Sequence, residues 1–223
     1  VTFFWDHFSP DKEQAHAKSM AEAAHAAGLE HVIWSTFEDT RDRVPLDDDR
    51  MPTLMDAYKV PHFDAKAAAD HYFTDLDVPT TFLHTSFYWD NLIHFGLGPT
   101  RGEDGQLAVT FPLGEAKMPG IAAEDIGRAA YGIFKAGPEM AGRRVGIAGE
   151  HVSGAQMAEA LSRVVGEPVR YNDVPPEVYR GFGFPGADDL GNMFQYKHDF
   201  EAEYREMRDV ESTMWTLTAA ETG

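Results

Sequence analysis

The chain has 223 residues, of which 43% are hydrophobic and 25% charged, so it can bury a substantial core and has the composition of a globular protein. Its 37 acidic and 19 basic residues give a formal net charge of −18 at pH 7, which argues against direct binding of nucleic acid or an anionic membrane surface. The absence of cysteine from the sequence excludes disulfides, thiolate zinc sites and cysteine nucleophiles.

The sequence opens on apolar residues that are typical of a core element. Residues 1–5, Val-Thr-Phe-Phe-Trp, have no initiator methionine or polar lead-in and resemble the end of a buried strand. Because a natural terminus rarely starts inside a core element, we expect a chain that is truncated at its N-terminus.

The first complete elements are a helix and a strand. Ser9 and Pro10 predict a helix start, with serine as the N-cap and proline in the first turn, and Gly28 predicts its end. The short apolar segment 31–35 then predicts a strand covered on both faces. A helix, a glycine and a buried strand in this order form half of a βαβ unit.

The elements that follow alternate in the same way. They are a helix over 63–76, a strand over 78–84, a short hairpin around 107–113, a helix over 125–135, a strand over 144–148 and a helix from the Ser153–Gln156 capping box to residue 165. This alternation predicts an α/β fold, a Rossmann-like doubly wound parallel sheet that is truncated at its N-terminus. Helical pieces mixed with proline, glycine and aromatic residues after residue 168 predict a small α+β C-terminal lobe.

Candidate site residues follow the predicted strand ends, where ligands bind in such sheets. The segments to search are 2–5, 35–40 and 86–91. The segment 61–66 adds His62 and Lys66, whose spacing would place both side chains on one face of a helix. His62 could act as an acid near neutral pH, but a nearby ammonium favours its neutral form; a partly buried histidine beside a surface lysine is the simpler alternative.

The segment Phe87-Tyr88-Trp89-Asp90-Asn91 directly follows a predicted strand. Its aromatic planes could stack on a nicotinamide, and Asn91 could recognise an amide. An aromatic strand end that packs into the core explains the same residues equally well.

Several of these stretches together resemble the NmrA-like family of atypical short-chain dehydrogenase relatives. The matching stretches are VTFFW, HVIWST, VPHFDAK, YWDN, KMPGIAAEDIG and GFPGADDLGNMFQY, which run in family order from the first residue to Tyr196. PHFDAK and FPGADDLGNMF are the specific ones. The likeness is greatest to the branch that contains a human NADPH-sensing member.

The resemblance implies a Rossmann domain and a small lobe, with a dinucleotide bound between them and NADP favoured over NAD. Residues 1–95 and 118–150 would form the nucleotide-binding domain, and 96–117 and 151–223 the substrate or partner lobe. Lys66 then corresponds to the family lysine at the nicotinamide ribose. Tyr88, Trp89, Asp90 and Asn91 correspond to the loop beside the nicotinamide. Thr2 and Phe3 stand where the family has Thr-Asn, so Phe3 removes a polar contact.

The family also has a strand, a Gly-x-x-Gly-x-x-Gly turn and a helix that hold the pyrophosphate, and this sequence has none of that spacing. The resemblance therefore implies that the chain as written binds dinucleotide weakly or not at all. In this sequence, His62 also stands in place of the tyrosine of the Tyr-x-x-x-Lys pair that short-chain dehydrogenases have.

Three functions remain open from the sequence. The first is an NAD(P)-responsive regulator with little or no catalysis, which engages a protein partner through the small lobe as the NADPH/NADP ratio changes. The second is an NAD(P)H-dependent reductase of quinones or similar carbonyls, with Lys66 placing the cofactor and His62 or a water as the proton donor. The third is an inactive fragment of either.

The sequence predicts neither a metal site nor a membrane anchor. The acidic run 47–49 could bind a hard cation, but such a run is more often a solvated loop, and the histidines lack metal-ligand spacing. The charges over 201–211, including Arg205 and Arg208, are typical of a solvated helix face. No apolar run approaches the roughly 18 residues of a membrane span and no signal-peptide pattern opens the sequence, so we expect a cytoplasmic location.

Overall fold

The computed structural model describes residues 2–221, and the side chains of residues 2–214, 216 and 218. Residue 1, which belongs to the opening segment and the first predicted domain, and residues 222–223 lie outside this range. The described helices are α1 (Pro10–Ala26), α2 (Pro61–Asp75), α3 (Asn91–His94), α4 (Ala123–Ala136), α5 (Gly154–Val165), α6 (Pro176–Arg180), α7 (Ala187–Asp199), α8 (Glu201–Met207) and α9 (Val210–Glu221). The strands are β1 (Val32–Thr36), β2 (Thr80–His84), β3 (Phe87–Tyr88), β4 (Thr100–Arg101), β5 (Leu107–Phe111), β6 (Lys117–Ile121), β7 (Arg144–Gly146), β8 (Glu150–Ser153) and β9 (Val169–Asp173).

A parallel sheet with helices on both faces forms one half of the molecule. β2 lies between β1 and β7 and is parallel to both, with Val32 opposite Thr80 and Leu83 opposite Val145. On one face a core that includes Trp34 and Phe82 packs under α1 and α2, and on the other face Leu83 packs among residues of α4. The predicted α/β, Rossmann-like class is therefore confirmed.

Two smaller sheets complete the fold. β6 pairs in parallel with β3 and antiparallel with β8, while β5 pairs antiparallel with β4 and in parallel with β9. The largest hydrophobic cluster joins strands of these sheets to α5, α6 and α7 and extends to Phe63 of α2. The C-terminal ends of β1 and β2 thus meet the second half of the molecule, and so does the N-terminal end of α2.

The helix starts and stops that the sequence predicts are present. Ser9 accepts a hydrogen bond from the Lys12 backbone N–H as the N-cap of α1, and Gly28 lies just beyond that helix with φ +62°. The capping box of Ser153 and Gln156 is complete at the start of α5.

Two predicted elements are wrong. Within the described part of the opening segment, Phe4–Asp6 form a 3₁₀ turn, because the Phe4 carbonyl accepts the N–H groups of His7 and Phe8 and turns the chain into α1. The hairpin lies earlier than 107–113: β4 and β5 form it, and Gly105 with φ +75° makes the turn between them.

The predicted division into domains stays a proposal. Helix α9, which that division assigns to the small lobe, packs on α4 of the nucleotide-binding part. Gly132 permits this approach, since a Cβ there would lie 1.9 Å from the Thr216 carbonyl oxygen. Over residues 2–221, none of the helices combines the length and the apolar character needed to cross a bilayer.

Candidate functional site

A cavity of about 740 Å³ lies at the carboxyl ends of β1 and β2. Ser35 of β1 and Ser86, which follows β2, contribute one side of it, as expected for a parallel sheet. The N-terminal half of α2, the opening segment 2–8 and helix α7 close the other sides. Most of the lining is apolar, and aromatic rings from several elements dominate it.

Lys66 lies in a buried polar network at one end of this cavity. Its Nζ is 2.8 Å from Oε1 of Glu13 and donates to the Thr2 hydroxyl at 2.6 Å and to the Thr2 carbonyl at 3.3 Å. The Thr2 hydroxyl in turn donates to the same Glu13 oxygen. Glu13 is fully buried and Lys66 is 7% exposed, so the ion pair is screened little by water.

The electrostatics of this network favour a fixed and balanced charge. Burial lowers the pKa of Lys66, and the carboxylate of Glu13 opposes that shift. The Lys66 amine also lies 5.2 Å from the ring centre of Trp34, within the range of a cation–π contact. Since the Glu13 carboxylate already balances the Lys66 ammonium, little of the ammonium charge remains to act on another group.

His62 connects the same helix to the second half of the molecule. Its Nδ1 lies 2.6 Å from Oδ1 of Asp189, and its backbone N–H donates to Oδ2 at 3.2 Å. Asp189, in the first turn of α7, thereby satisfies an N–H group that the start of α2 leaves without a helical partner. Both residues are buried, so the contact ties α2 to α7.

In the aromatic segment after β2, some side chains line the cavity and others pack elsewhere. Tyr88 and Asn91 line the cavity, and the Tyr88 hydroxyl lies 3.1 Å from that of Thr85. Trp89 instead packs on Gly120, where a Cβ would lie 2.0 Å from the indole ring. Asp90 accepts a hydrogen bond from the Ala123 backbone N–H at 2.7 Å and so caps α4.

The structure thus gathers most of the predicted residues around one cavity. Those that line it are Thr2, Phe3, His62, Lys66, Tyr88 and Asn91. Trp89 and Asp90 occupy the structural positions given above. The dinucleotide contacts predicted for seven of these residues, and the catalytic roles predicted for His62 and Lys66, remain predictions. In the described part of the chain, no group of three or more histidine, aspartate or glutamate side chains could hold a metal ion.

The sequence interpretation missed a second lysine on the cavity wall, Lys197 of α7. It is 3% exposed, and its Nζ lies 5.4 to 5.8 Å from the centres of four aromatic rings, those of Phe63, Phe87, Phe194 and Tyr204. Its position three and seven residues after Phe194 and Leu190 places it on the buried face of the helix, which is the signal that could have identified it.

Glu13 and Asp189 were missed for a similar reason. Glu13 precedes the buried residues Ala17, Ala21 and Ala24 of α1 at helical spacing, and this spacing could have identified it as buried. Asp189 meets His62 across 127 positions of sequence, and local spacing carries no signal for such a contact.

Arg208 corrects the prediction that residues 201–211 form a solvated face. It is fully buried between α8 and α9, where Nη2 lies 2.7 Å from Oε2 of Glu38 and Nε donates to the Thr85 carbonyl at 2.8 Å. Burial by itself would raise the pKa of Glu38, but the Arg208 charge and hydrogen bonds lower it to about 2. The charge pattern indicated one helix over this segment, but the structure has two, Glu201–Met207 and Val210–Glu221, and Arg208 between them turns inward.

Comparison with known proteins agrees with the resemblance and the fold. The model of the NmrA-like family matches residues 2–220. The nitrogen metabolite repression protein nmr of Neurospora crassa is 30% identical over 185 residues, which are 80% of this chain and 35% of that protein. The corresponding protein nmrA of Emericella nidulans is 30% identical over 170 residues, or 73% of this chain and 45% of that protein. The chain therefore spans less than half the length of these curated relatives.

Solved structures show the same fold. The negative transcriptional regulator NmrA in complex with NADP superposes with a TM-score of 0.69 at 23% identity, over 94% of this chain and 69% of that one. An NADPH-dependent quinone oxidoreductase of Escherichia coli, complexed with NADPH, superposes with a TM-score of 0.64 at 20% identity, over 92% and 69% of the two chains. By the family match over nearly its whole length, this chain belongs to the NmrA-like family.

Proposed function

We propose that this chain forms the nicotinamide side of the dinucleotide site in an NAD(P)-responsive regulator with little or no catalysis. The observation that carries the proposal is the state of Lys66. Its ammonium is neutralised by Glu13 at 2.8 Å and bonded to Thr2, and histidine stands where a catalytic phenol would be needed four residues before it. The site therefore has a fixed lysine for binding but lacks the ammonium–phenol pair that activates a proton donor.

NADP is the more favoured dinucleotide in this proposal, in keeping with the family branch that the sequence resembles. Lys66 would bond the nicotinamide ribose, and Tyr88 and Asn91 would lie beside the nicotinamide ring. The sequence has no Gly-x-x-Gly-x-x-Gly turn, so we expect the contacts of these residues to be confined to the nicotinamide half. A cytoplasmic location, expected from the sequence, is part of the same proposal.

A protein partner would sense the dinucleotide through the second half of the molecule. Asp189 bonds both the His62 ring and the start of α2, so a ligand that moves α2 would also move α7. Through this link, binding of a ligand at Lys66 would change the position of α7 and of the surface on its far side. A ligand shifts this equilibrium only as far as its affinity differs between the two arrangements.

A reductase of quinones or similar planar carbonyls is the second candidate. The cavity beside Lys66 favours it, because aromatic side chains such as Phe4, Phe37 and Phe184 line a space large enough for a flat apolar acceptor. In the wider fold group, the quinone oxidoreductase named above has this kind of activity.

Ligand-dependent unfolding and turnover separate the candidates. We expect NADPH and reduced nicotinamide mononucleotide to raise the unfolding midpoint of the chain by similar amounts, with a stabilisation of about 1.4 kcal/mol at ten times the dissociation constant. Lys66→Ala should remove both shifts, and no quinone should accelerate NADPH oxidation. Turnover that Lys66→Ala abolishes would establish the reductase instead. The absence of any shift at millimolar ligand would support an inactive fragment.

A further inference from the structure

The second lysine on the cavity wall lies in an unusual setting. No described side chain forms an ion pair or a hydrogen bond with the Lys197 amine, although Lys197 is 3% exposed. The four rings around it belong to α2, β3, α7 and α8. The charged groups that act on it are Arg208 and Glu38, which are paired with each other. The amine therefore reaches the cavity without a partner inside the described protein.

This setting makes the amine nucleophilic. Burial lowers the pKa of Lys197 to about 7; the Arg208 charge adds to that shift, and the Glu38 charge opposes it. At neutral pH a large share of the amine is then unprotonated, whereas an ordinary lysine with a pKa of about 10.4 is almost wholly protonated. Lysines activated in this way are the ones that form Schiff bases with carbonyl compounds.

A second polar atom on the same cavity also has no partner. Ser86 is 4% exposed, and its hydroxyl forms no hydrogen bond with any described residue. Ser86 lines the same cavity as Lys197. A buried hydroxyl without a partner costs free energy, which a ligand oxygen at this position would recover.

We propose that Lys197 and Ser86 form a carbonyl-binding site for an apolar aldehyde, which the Lys197 amine captures as an imine. The amine nitrogen attacks the carbonyl carbon and forms a C–N bond. The C–O bond then breaks, and the carbonyl oxygen leaves as water with the two hydrogens of the unprotonated amine. Ser86 donates a hydrogen bond to that oxygen before it leaves. No oxidant or reductant takes part, and the inference goes beyond dinucleotide binding and holds or fails independently of it.

The surrounding rings select the body of the aldehyde. Phe63, Phe87 and Phe194 leave the amine only an apolar approach, so a small hydrated aldehyde gains nothing by entering. A flat aromatic aldehyde buries its ring against these side chains and places its carbonyl at the amine.

Reductive trapping tests the site. The folded chain is treated at pH 7 with 2-naphthaldehyde and cyanoborohydride, which reduces an imine to a stable secondary amine, and each lysine is followed by peptide mass spectrometry. We expect Lys197 to be modified at least about tenfold faster than surface lysines such as Lys117, because its unprotonated fraction is larger. Lys59 is the matched buried control: it is 1% exposed, and its amine donates to the carbonyls of Asp48 and Met51 at 2.8 and 2.7 Å.

Variants and a polar probe sharpen the result. Lys197→Met should lose the fast adduct while retaining a cooperative unfolding transition, and Ser86→Ala should slow the reaction at Lys197 several-fold. Glycolaldehyde should react without preference for Lys197. The proposal is overturned if the folded chain modifies Lys197 no faster than Lys117, or if glycolaldehyde shows the same preference as 2-naphthaldehyde.

Discussion

The two ends of the cavity treat a buried lysine in opposite ways. At the α1 end, Lys66 has a carboxylate at 2.8 Å and a hydroxyl at 2.6 Å, and each of these groups also bonds the other. At the α7 end, Lys197 has aromatic rings around it and no polar partner among the described residues. Both lysine residues have less than one tenth of their surface exposed, so the difference between them lies in their polar partners and not in their exposure.

This difference teaches which lysine is suited to which task. A buried ion pair fixes its ammonium in one place, since either partner alone would be an uncompensated charge. Such a lysine can position a ligand but reacts poorly. A lysine buried without a partner avoids the charge by losing its proton, and the unprotonated amine is a nucleophile. We therefore assign positioning to Lys66 and capture to Lys197.

Removing Glu13 should have the largest effect on this comparison. Glu13→Ala leaves the Lys66 ammonium buried without its carboxylate, and breaking a buried pair in this way costs about 3–5 kcal/mol. The free energy of unfolding from urea titrations measures the loss. Glu22→Ala is the matched control, because its pair with Lys18 spans 3.9 Å with both side chains 57% exposed and should contribute less than about 1 kcal/mol.

A double variant separates charge from shape at the same end. Glu13→Leu together with Lys66→Met replaces the pair with apolar side chains of similar size, and such replacements are often neutral or stabilising. The double variant should therefore recover most of the stability that Glu13→Ala loses. A Glu13→Ala loss no greater than that of Glu22→Ala would show that Lys66 does not depend on its carboxylate.

The pH dependence of stability should distinguish the other end. The pKa of Lys197 is about 7 in the folded chain and near 10.4 when unfolded, so between these values the unfolded state binds more protons. Stability from this group therefore rises as pH increases from 7 to 10 and is constant below 7. Lys197→Met removes the dependence and should exceed the native chain in stability by on the order of 4 kcal/mol at pH 7.

Urea unfolding of both proteins at pH 6, 7, 8 and 9 provides the measurement. The advantage of Lys197→Met should be equal at pH 6 and 7 within error and should then shrink at each higher pH. Titration of other groups affects both proteins alike, so the difference isolates Lys197. A difference that stays constant up to pH 9 would mean that the amine keeps its proton and that the two lysines are not opposites.

The fold was predictable because its signals are local. Ser9 and Pro10 start α1, the Ser153–Gln156 pair starts α5, and alternation of helices with buried strands defines a parallel sheet. The opening turn was missed because apolar composition alone does not distinguish a strand from a 3₁₀ turn of three residues.

The site was predictable only in part. Asn91 follows a strand end, where the topology of such sheets concentrates ligand contacts, and His62 and Lys66 were found by their spacing on one face of α2. Asp189 joins His62 over a sequence separation that no local pattern reveals. Trp89 and Asp90 do not line the cavity, because Trp89 packs on Gly120 and Asp90 accepts a hydrogen bond from the Ala123 backbone N–H. Their position in the sequence next to Tyr88 and Asn91 does not reveal these contacts.

Of these variants, Ser86→Ala should change the free energy of unfolding least. The Ser86 hydroxyl has no described partner, so its removal breaks no hydrogen bond and should lower the free energy of unfolding by less than about 0.5 kcal/mol, while loss of the unpaired buried hydroxyl acts in the stabilising direction. Thr81→Val makes the comparable change where the buried hydroxyl donates to the Met140 carbonyl at 2.7 Å and also lies 2.8 Å from Nε2 of His31, and should cost about 1–2 kcal/mol. Equal losses from the two variants, measured by urea unfolding, would mean that Ser86 already has a partner within the protein. The polar groups at the α7 end of the cavity would then have partners within the protein, as those at the α1 end do. No unpaired hydroxyl would remain there to bond a ligand oxygen.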